Sequence, residues 1–171
     1  MIGLKRGTVK LVPHDKKWHA AFEREKKALL KNIGDVAIDV QHVGSTAIKG
    51  ISAKPIIDIS VGVNKLSDAK KLIKPLSQIG YRFYDTHRDR IFFAKGPERR
   101  RTHHLHVMRY NSIKWKSDML FRDYLSAHPP CAKAYANLKT KLAKRYSEDR
   151  EKYTVGKDRF INTTLKLAKR K

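Results

Sequence analysis

Apolar residues recur along this chain with two different periods, and the changes between them mark its elements. From His14 to Ile33, Trp18, Phe22, Leu29 and Ile33 fall on one side of a helix; Pro13 and Asp15 mark its start and Gly34 its end. Val36 to Val43 alternates and reads as a strand, and Pro55 to Val63 is a second strand rich in Ile and Val. Ser67 to Ile79 returns to a helical spacing through Ala69, Leu72, Ile73, Leu76 and Ile79. Ser67 is its expected N-cap, and Pro75 predicts a kink or two short helices, because an interior proline clashes with the preceding turn. Three short strands follow at Tyr81 to Asp85, Arg90 to Lys95 and Thr102 to Arg109. The last third is helical throughout: Ser112 to Ala127, Pro130 to Tyr146, and Ser147 to about Lys169. Strands with one crossover helix, then a helical C-terminal part from about residue 112, predict an α+β fold, a mixed sheet flanked by helices.

Composition narrows the setting. A chain of 171 residues is the length of one domain and long enough to bury a core without staples. Its single cysteine, Cys131, can form no internal disulfide, and no zinc-type Cys/His spacing occurs. The opening residues carry no apolar leader pattern, and the longest apolar run, Pro55 to Val63, is strand-sized. A soluble cytoplasmic protein with no membrane partner is expected. Lys and Arg number 39 against 16 Asp and Glu, a net charge of +23. That excess attracts nucleic acid, nucleotides or other phosphate-bearing molecules, or else is spread over a solvated surface.

Within the apolar run KPIIDISVGV stands one carboxylate, Asp58. On a strand, Ile57, Ile59, Val61 and Val63 share one face, and Asp58, Ser60 and Gly62 share the other. The second set suits an open site, since a buried carboxylate needs a cation or strong donors. Gly44-Ser45-Thr46 follows the preceding strand and opens a short helix, where backbone N–H groups and two hydroxyls can hold a phosphate. In RTHHLHV, Leu105 and Val107 mark a core side, which places His104 and His106 on the side of Asp58. Two histidines and a carboxylate make a metal set suited to Zn, Mn, Fe or Ni more than Mg; hydrogen bonding among the three is the alternative. His42 is a further ligand or acid–base candidate, and His103 reads as structural. Lys54, at the entrance to the Asp58 strand, reaches a phosphate or is solvated, and Arg90 projects into the site. Lys157, in line with Tyr153 and Phe160, is an anion contact or a lysine whose stem covers the core.

The stretch HVGSTAIKGISAKPIIDISVGV, then RRTHHLHV, then LFRDYLSAHP, resembles the GrpB family over nearly the whole chain, and more distantly the nucleotidyltransferase superfamily of DNA polymerase beta-like fold. The resemblance implies a nucleotidyltransferase-like fold more firmly than an activity. It implies that Gly44 and Ser45 hold the phosphates of a nucleoside triphosphate, and that Asp58 is the first of the carboxylates that bind magnesium. The second carboxylate position on that strand is Ser60, which brings no charge to share between two cations.

Three functions follow as expectations. One is a metal-dependent nucleotidyl or phosphoryl transferase, with Asp58, His104 and His106 on a divalent metal (Mg, Mn or Zn), Ser60 beside it, and Lys54 and Arg90 balancing charge on phosphates at Gly44, Ser45 and Thr46. The second is a non-catalytic binder of a nucleotide or nucleic acid in the same cleft. The third is a metal-dependent hydrolase with an open metal position.

Overall fold

The computed structural model describes residues 2–170. The elements run α1 (Lys17–Ile33), β1 (Ala37–Val43), β2 (Ile57–Val63), α2 (Ile73–Gln78), β3 (Tyr81–Thr86), β4 (Arg90–Lys95), β5 (His103–Arg109), α3 (Ile113–Ala127), α4 (Pro129–Arg145), α5 (Arg150–Val155) and α6 (Asp158–Ala168). The five strands form one mixed sheet in the order β1-β2-β5-β4-β3. β2 and β5 run parallel at its centre, and the other pairs are antiparallel. The fold is α+β, as expected.

The sheet divides the protein into two layers. On one side Ile57, Ile59, Val61, Val63, Leu105 and Val107 pack with Trp18, Phe22, Leu29 and Ile33 of α1 and with Leu72 and Leu76, forming the main core. This is the face that strand alternation assigns to the interior. On the other side lie the helices that follow residue 112. A smaller core of Ile48, Ile51, Leu125, Ala132 and Tyr135 ties the loop after β1 to α3 and α4. Asp58, Ser60 and Gly62 face this second layer, where the rings of Tyr110 and Trp115 close over Gly62.

The helix expected over 67–79 is a 3-10 turn at Leu66–Leu72 followed by α2. Pro75 sits in the first turn of α2, where a missing N–H costs no helical bond. Asp68 rather than Ser67 closes the 3-10 turn, accepting the Lys65 N–H at 3.2 Å. The helix expected from Ser147 to Lys169 is two helices, broken around Gly156. A Cβ there would lie 2.7 Å from Leu142 Cδ2, so glycine lets the chain turn directly against α4. Ser112 caps α3 as expected, accepting the Trp115 N–H at 3.2 Å. No helix among the described residues is long and apolar enough to cross a membrane.

Glycine at position 62 keeps α3 seated on the sheet: a Cβ would lie 2.9 Å from Tyr110 Cδ2 and 3.1 Å from the Trp115 ring. Gly62→Ala is therefore expected to lower stability by about 1–3 kcal/mol through overpacking. Urea unfolding checks this, and an unchanged midpoint would show that α3 can shift without cost.

Candidate functional site

The site begins with one close approach. Gly44, at the end of β1, has φ 69° and ψ −171°, a backbone conformation that side chains rarely tolerate. A Cβ on it would stand 2.6 Å from Asp58 Oδ2. Glycine is required here for both reasons, and it lets the turn's backbone come up against the carboxylate. Register explains the meeting: Val43, the last residue of β1, pairs with Asp58 near the start of β2. Parallel pairing of β2 with β5 then sets Asp58 beside His104 and Ser60 beside His106.

Asp58 Oδ1 lies 3.0 Å from His104 Nδ1, and the Asp58 side chain keeps 30% of its surface exposed. Burial alone would raise the Asp58 pKa, but the His104 hydrogen bond and the nearby His104, His106 and Lys54 charges outweigh it and hold the group well below the usual carboxylate range. Burial lowers the His104 pKa, so a neutral imidazole donates its Nδ1–H to an ionised Asp58. His104 Nε2 is then a buried acceptor without a partner. His106, pulled down to about 3 by burial, is likewise neutral, with Nδ1 unpartnered. Phe92 lies against both rings, 5.3 Å from His104 and 5.2 Å from His106.

The expected site residues fall into three groups. Asp58, His104 and Ser45 meet at the cleft, with Gly44 beneath them. Thr46 braces the turn from behind: it is buried, its hydroxyl lies 3.0 Å from His42 Nε2, and it donates to the Ile56 carbonyl at 3.4 Å. Ser60, fully buried, with His106 and Arg90 lies farther along the strands, away from the Gly-Ser turn. His42 is not a ligand of this site. It stacks on Phe22 of the main core at 4.7 Å, on the opposite face from Asp58, and burial lowers its pKa to about 4. His103 is structural, facing Glu25 of α1 at 3.8 Å.

Around the turn stands a set of cations that the sequence showed only in part. Lys54 lies over the ring of Tyr153 at 5.3 Å, and Lys157 lies over the same ring at 4.6 Å. Lys139, almost fully buried, lies 4.9 Å from the Tyr135 ring centre and donates to the Ser52 carbonyl. The Tyr135 hydroxyl is turned toward Ser45. Arg150, Arg101 and Arg6 line a small pocket with Lys54 and His104. Burial lowers Lys54 to about 8, Arg150 adding to the effect and Asp58 opposing it, and lowers Lys139 to about 7, with Lys157 and Lys54 adding. No ion pair to a carboxylate appears for Lys54, Lys139 or Lys157 among the described residues. Lys139 and Arg150 were not expected. Lys139 does carry a signal: with Ala132 and Tyr135 it falls at helical spacing on the buried face of α4. Arg101, within a segment that reads as exposed, is buried and bonded to Glu98 at 2.8 Å.

Among the described residues, no group of three or more His, Cys, Asp or Glu side chains is arranged to hold a metal ion. The hydrogen bond between His104 and Asp58 occupies His104 Nδ1 and Asp58 Oδ1 and leaves His104 Nε2 and Asp58 Oδ2. The donors present fit magnesium or manganese, held by one carboxylate together with a ligand's own phosphate oxygens, better than a zinc cage of protein atoms.

The profile of the GrpB protein family matches residues 8–167. The chain belongs to the GrpB family. It is 42% identical to the "Glutamate-rich protein GrpB" of Alkalihalophilus pseudofirmus, over 96% of this chain and 98% of that protein. The crystal structure of GrpB from Enterococcus faecalis superposes with a TM-score of 0.84 at 31% identity, covering 93% of this chain and 96% of that one. At the level of fold, the likeness extends to nucleotidyltransferases. Terminal uridylyl transferase 4 from Trypanosoma brucei, solved with bound CTP, matches with a TM-score of 0.51 at 19% identity, over 80% of this chain and 43% of that one. The glutamate-rich name does not describe this member, with its 16 acidic residues and net charge of +23.

Gly44→Ala tests the close approach at the centre of the site. It is expected to cost about 1–3 kcal/mol in backbone strain and to part Asp58 from His104, read as a shift of the His104 ring nitrogens in NMR. Unchanged stability together with unchanged ring resonances would mean that the turn does not depend on glycine.

Proposed function

We propose that this chain binds a nucleoside triphosphate together with one divalent cation, and transfers a nucleotidyl or phosphoryl group from it to an acceptor. The observation that carries this reading is the set of three lysines, Lys54, Lys139 and Lys157, gathered without carboxylate partners beside the Gly-Ser turn and Asp58. Desolvating several lysines together is unfavourable, and a polyphosphate chain is the ligand class that offsets this cost. Phosphoryl transfer asks a protein mainly for positioning and for charge stabilisation. Lys54, Lys157 and Arg150 would hold the phosphate chain, the backbone and hydroxyl of Ser45 would fix one phosphate at the turn, and Asp58 would carry the cation. A bound divalent cation neutralises developing charge on the phosphate oxygens. His104 acts through Asp58: its N–H keeps the carboxylate ionised and turned toward Gly44. The fold shared with nucleotide-binding transferases supports the same reading.

Ser60 favours a second reading, that of a binder without turnover. It occupies the position at which the superfamily places its second carboxylate, and it is fully buried. In that case a nucleotide or nucleic acid binds in a salt-dependent way and no pyrophosphate is released. Calorimetry with MnATP, and assays for released pyrophosphate (nucleotidyl transfer) and released ADP (phosphoryl transfer), separate the two readings. Saturable MnATP binding that Asp58→Asn and the Lys54→Met, Lys157→Met double variant each weaken at least about tenfold, a loss of about 1.4 kcal/mol, is expected. The absence of saturable binding, or binding indifferent to all three changes, would overturn the site.

The lowered lysines set the pH dependence. In the folded protein Lys139 titrates near about 7 and Lys54 near about 8, against 10.5 for a free lysine. Between these values the unfolded chain binds more protons, so these groups raise stability as pH rises from about 7 toward 10. Ligand binding runs the other way, because an arriving polyanion recharges the amines. ATP binding is expected to take up protons at pH 7.5 and to weaken by up to about tenfold per pH unit for each proton taken up. Calorimetry in buffers of different ionisation enthalpy measures that uptake, and none would place the phosphate chain away from Lys139 and Lys54.

A further inference from the structure

Beyond Asp58, the same face of the sheet holds polar atoms that the phosphate site does not use. Ser60 Oγ, His106 Nδ1 and Arg90 Nε are all buried, and none has a hydrogen-bond partner. An unpaired buried polar group is costly, and three on one face of the sheet point to a missing partner. Register brings them together. Ser60 pairs with His106 and His106 with Phe92, while the next row on this face is Gly62, Met108 and Arg90. Ser60 and His106 are directly opposite, with Cβ atoms about 5 Å apart, and Arg90 is the diagonal neighbour of His106, at about 7–8 Å.

Helix α3 roofs this floor. Trp115 rests on Gly62 at one end, and two turns later Arg122 donates to Gln41 Oε1 and to the His42 carbonyl, each at 2.9 Å, fixing the helix over β1. Between these anchors the Lys114 ammonium is bonded to the Asp118 carboxylate. Lys114 and Asp118 neutralise each other, and the other charges that reach His106 and Asp118 are the Arg90 guanidinium and the Asp58 carboxylate. Arg90 Nε–H and the Ser60 hydroxyl are both donors, so the partner missing here is an acceptor. Its place differs from that of the lysine set, which stands at the Gly44 end of the cleft.

We propose that Ser60, His106 and Arg90, under Lys114 and Asp118, form a second anion subsite, which seats a phosphate or carboxylate of the acceptor molecule while the nucleotide's phosphates lie at the Gly-Ser turn. The word acceptor rests on the transferase reading; the subsite itself does not. It gives Ser60 a role other than that of a lost carboxylate. A carboxylate at this position would repel the anion that Arg90 attracts, whereas a hydroxyl donates to it.

The test follows the His106 ring nitrogens by NMR in the full chain, first alone and then saturated with MgATP, during titration with inorganic phosphate and separately with acetate. Phosphate is expected to shift His106 saturably in both states. Arg90→Gln is expected to weaken that response at least fivefold, and Ser60→Ala to weaken it with folding confirmed by the unchanged pattern of core resonances. The Lys54→Met, Lys157→Met protein is expected to retain it. A stronger response to acetate than to phosphate would assign a carboxylate. A His106 signal indifferent to both anions, or one that the double lysine variant abolishes and Arg90→Gln leaves intact, would overturn the subsite. Failure of ATP to bind while His106 still responds to anions would remove the transferase reading and keep the subsite.

Discussion

The approach of a glycine backbone to a carboxylate organises the site. Because Gly44 has no side chain and adopts a positive φ, the end of β1 can turn immediately over Asp58. That turn sends Ser45 toward Tyr135 and Thr46 back toward His42, so one residue faces the cleft while its neighbour is spent on holding the turn. On the other side of the carboxylate, the parallel pairing of β2 and β5 supplies His104. The pair is positioned by backbone hydrogen bonds of the central strands and backed by a fully buried row of Ile57, Ile59, Leu105 and Val107. A site built on rigid strands holds its geometry better than one carried on loops.

Charge then divides the cleft. At the Gly44 end, Lys54, Lys139 and Lys157 crowd around two tyrosine rings, whose faces provide part of the compensation for lost hydration. In the middle stands Asp58, the carboxylate proposed to hold a cation between phosphates. At the far end lie Arg90 and the buried hydroxyl of Ser60, beneath the Lys114–Asp118 pair of α3. The cleft uses only a few of the chain's 39 basic residues.

Alternation made the strand faces readable. IIDISVGV carries an unbroken apolar row and HHLHV sets Leu105 and Val107 on one face, and the opposite row had to face something else, so the sequence alone assigns Asp58, Ser60, His104 and His106 to one side. His42 was expected as a ligand from its position next to the Gly-Ser turn, and the structure places it on the core side, paired with Ile59 and stacked on Phe22. Other features were hidden because they depend on which helix covers which surface. A lysine on a helix reads as solvated, and Lys139 is buried only because α4 lies against the loop containing Ser52. Asp118 acquires its place from the docking of α3, which Gly62 permits and no local pattern announces. The break at Gly156 combines glycine's low helical propensity with its contact against Leu142, and only the first of these is visible in the sequence. The metal set of Asp58, His104 and His106 was plausible from spacing, but spacing cannot show that Asp58 and His104 are joined to each other.

The central claim is that Asp58 holds a divalent cation only in company with a ligand's phosphates. Electron paramagnetic resonance of Mn(II) titrated into the protein, with and without ATP, tests it most directly. The account requires weak Mn(II) binding to the protein alone, cooperative uptake once ATP is present, phosphorus couplings to the bound ion, and loss of that ternary signal in Asp58→Asn. Tight Mn(II) binding without ATP, or a ternary signal that survives Asp58→Asn, would contradict it.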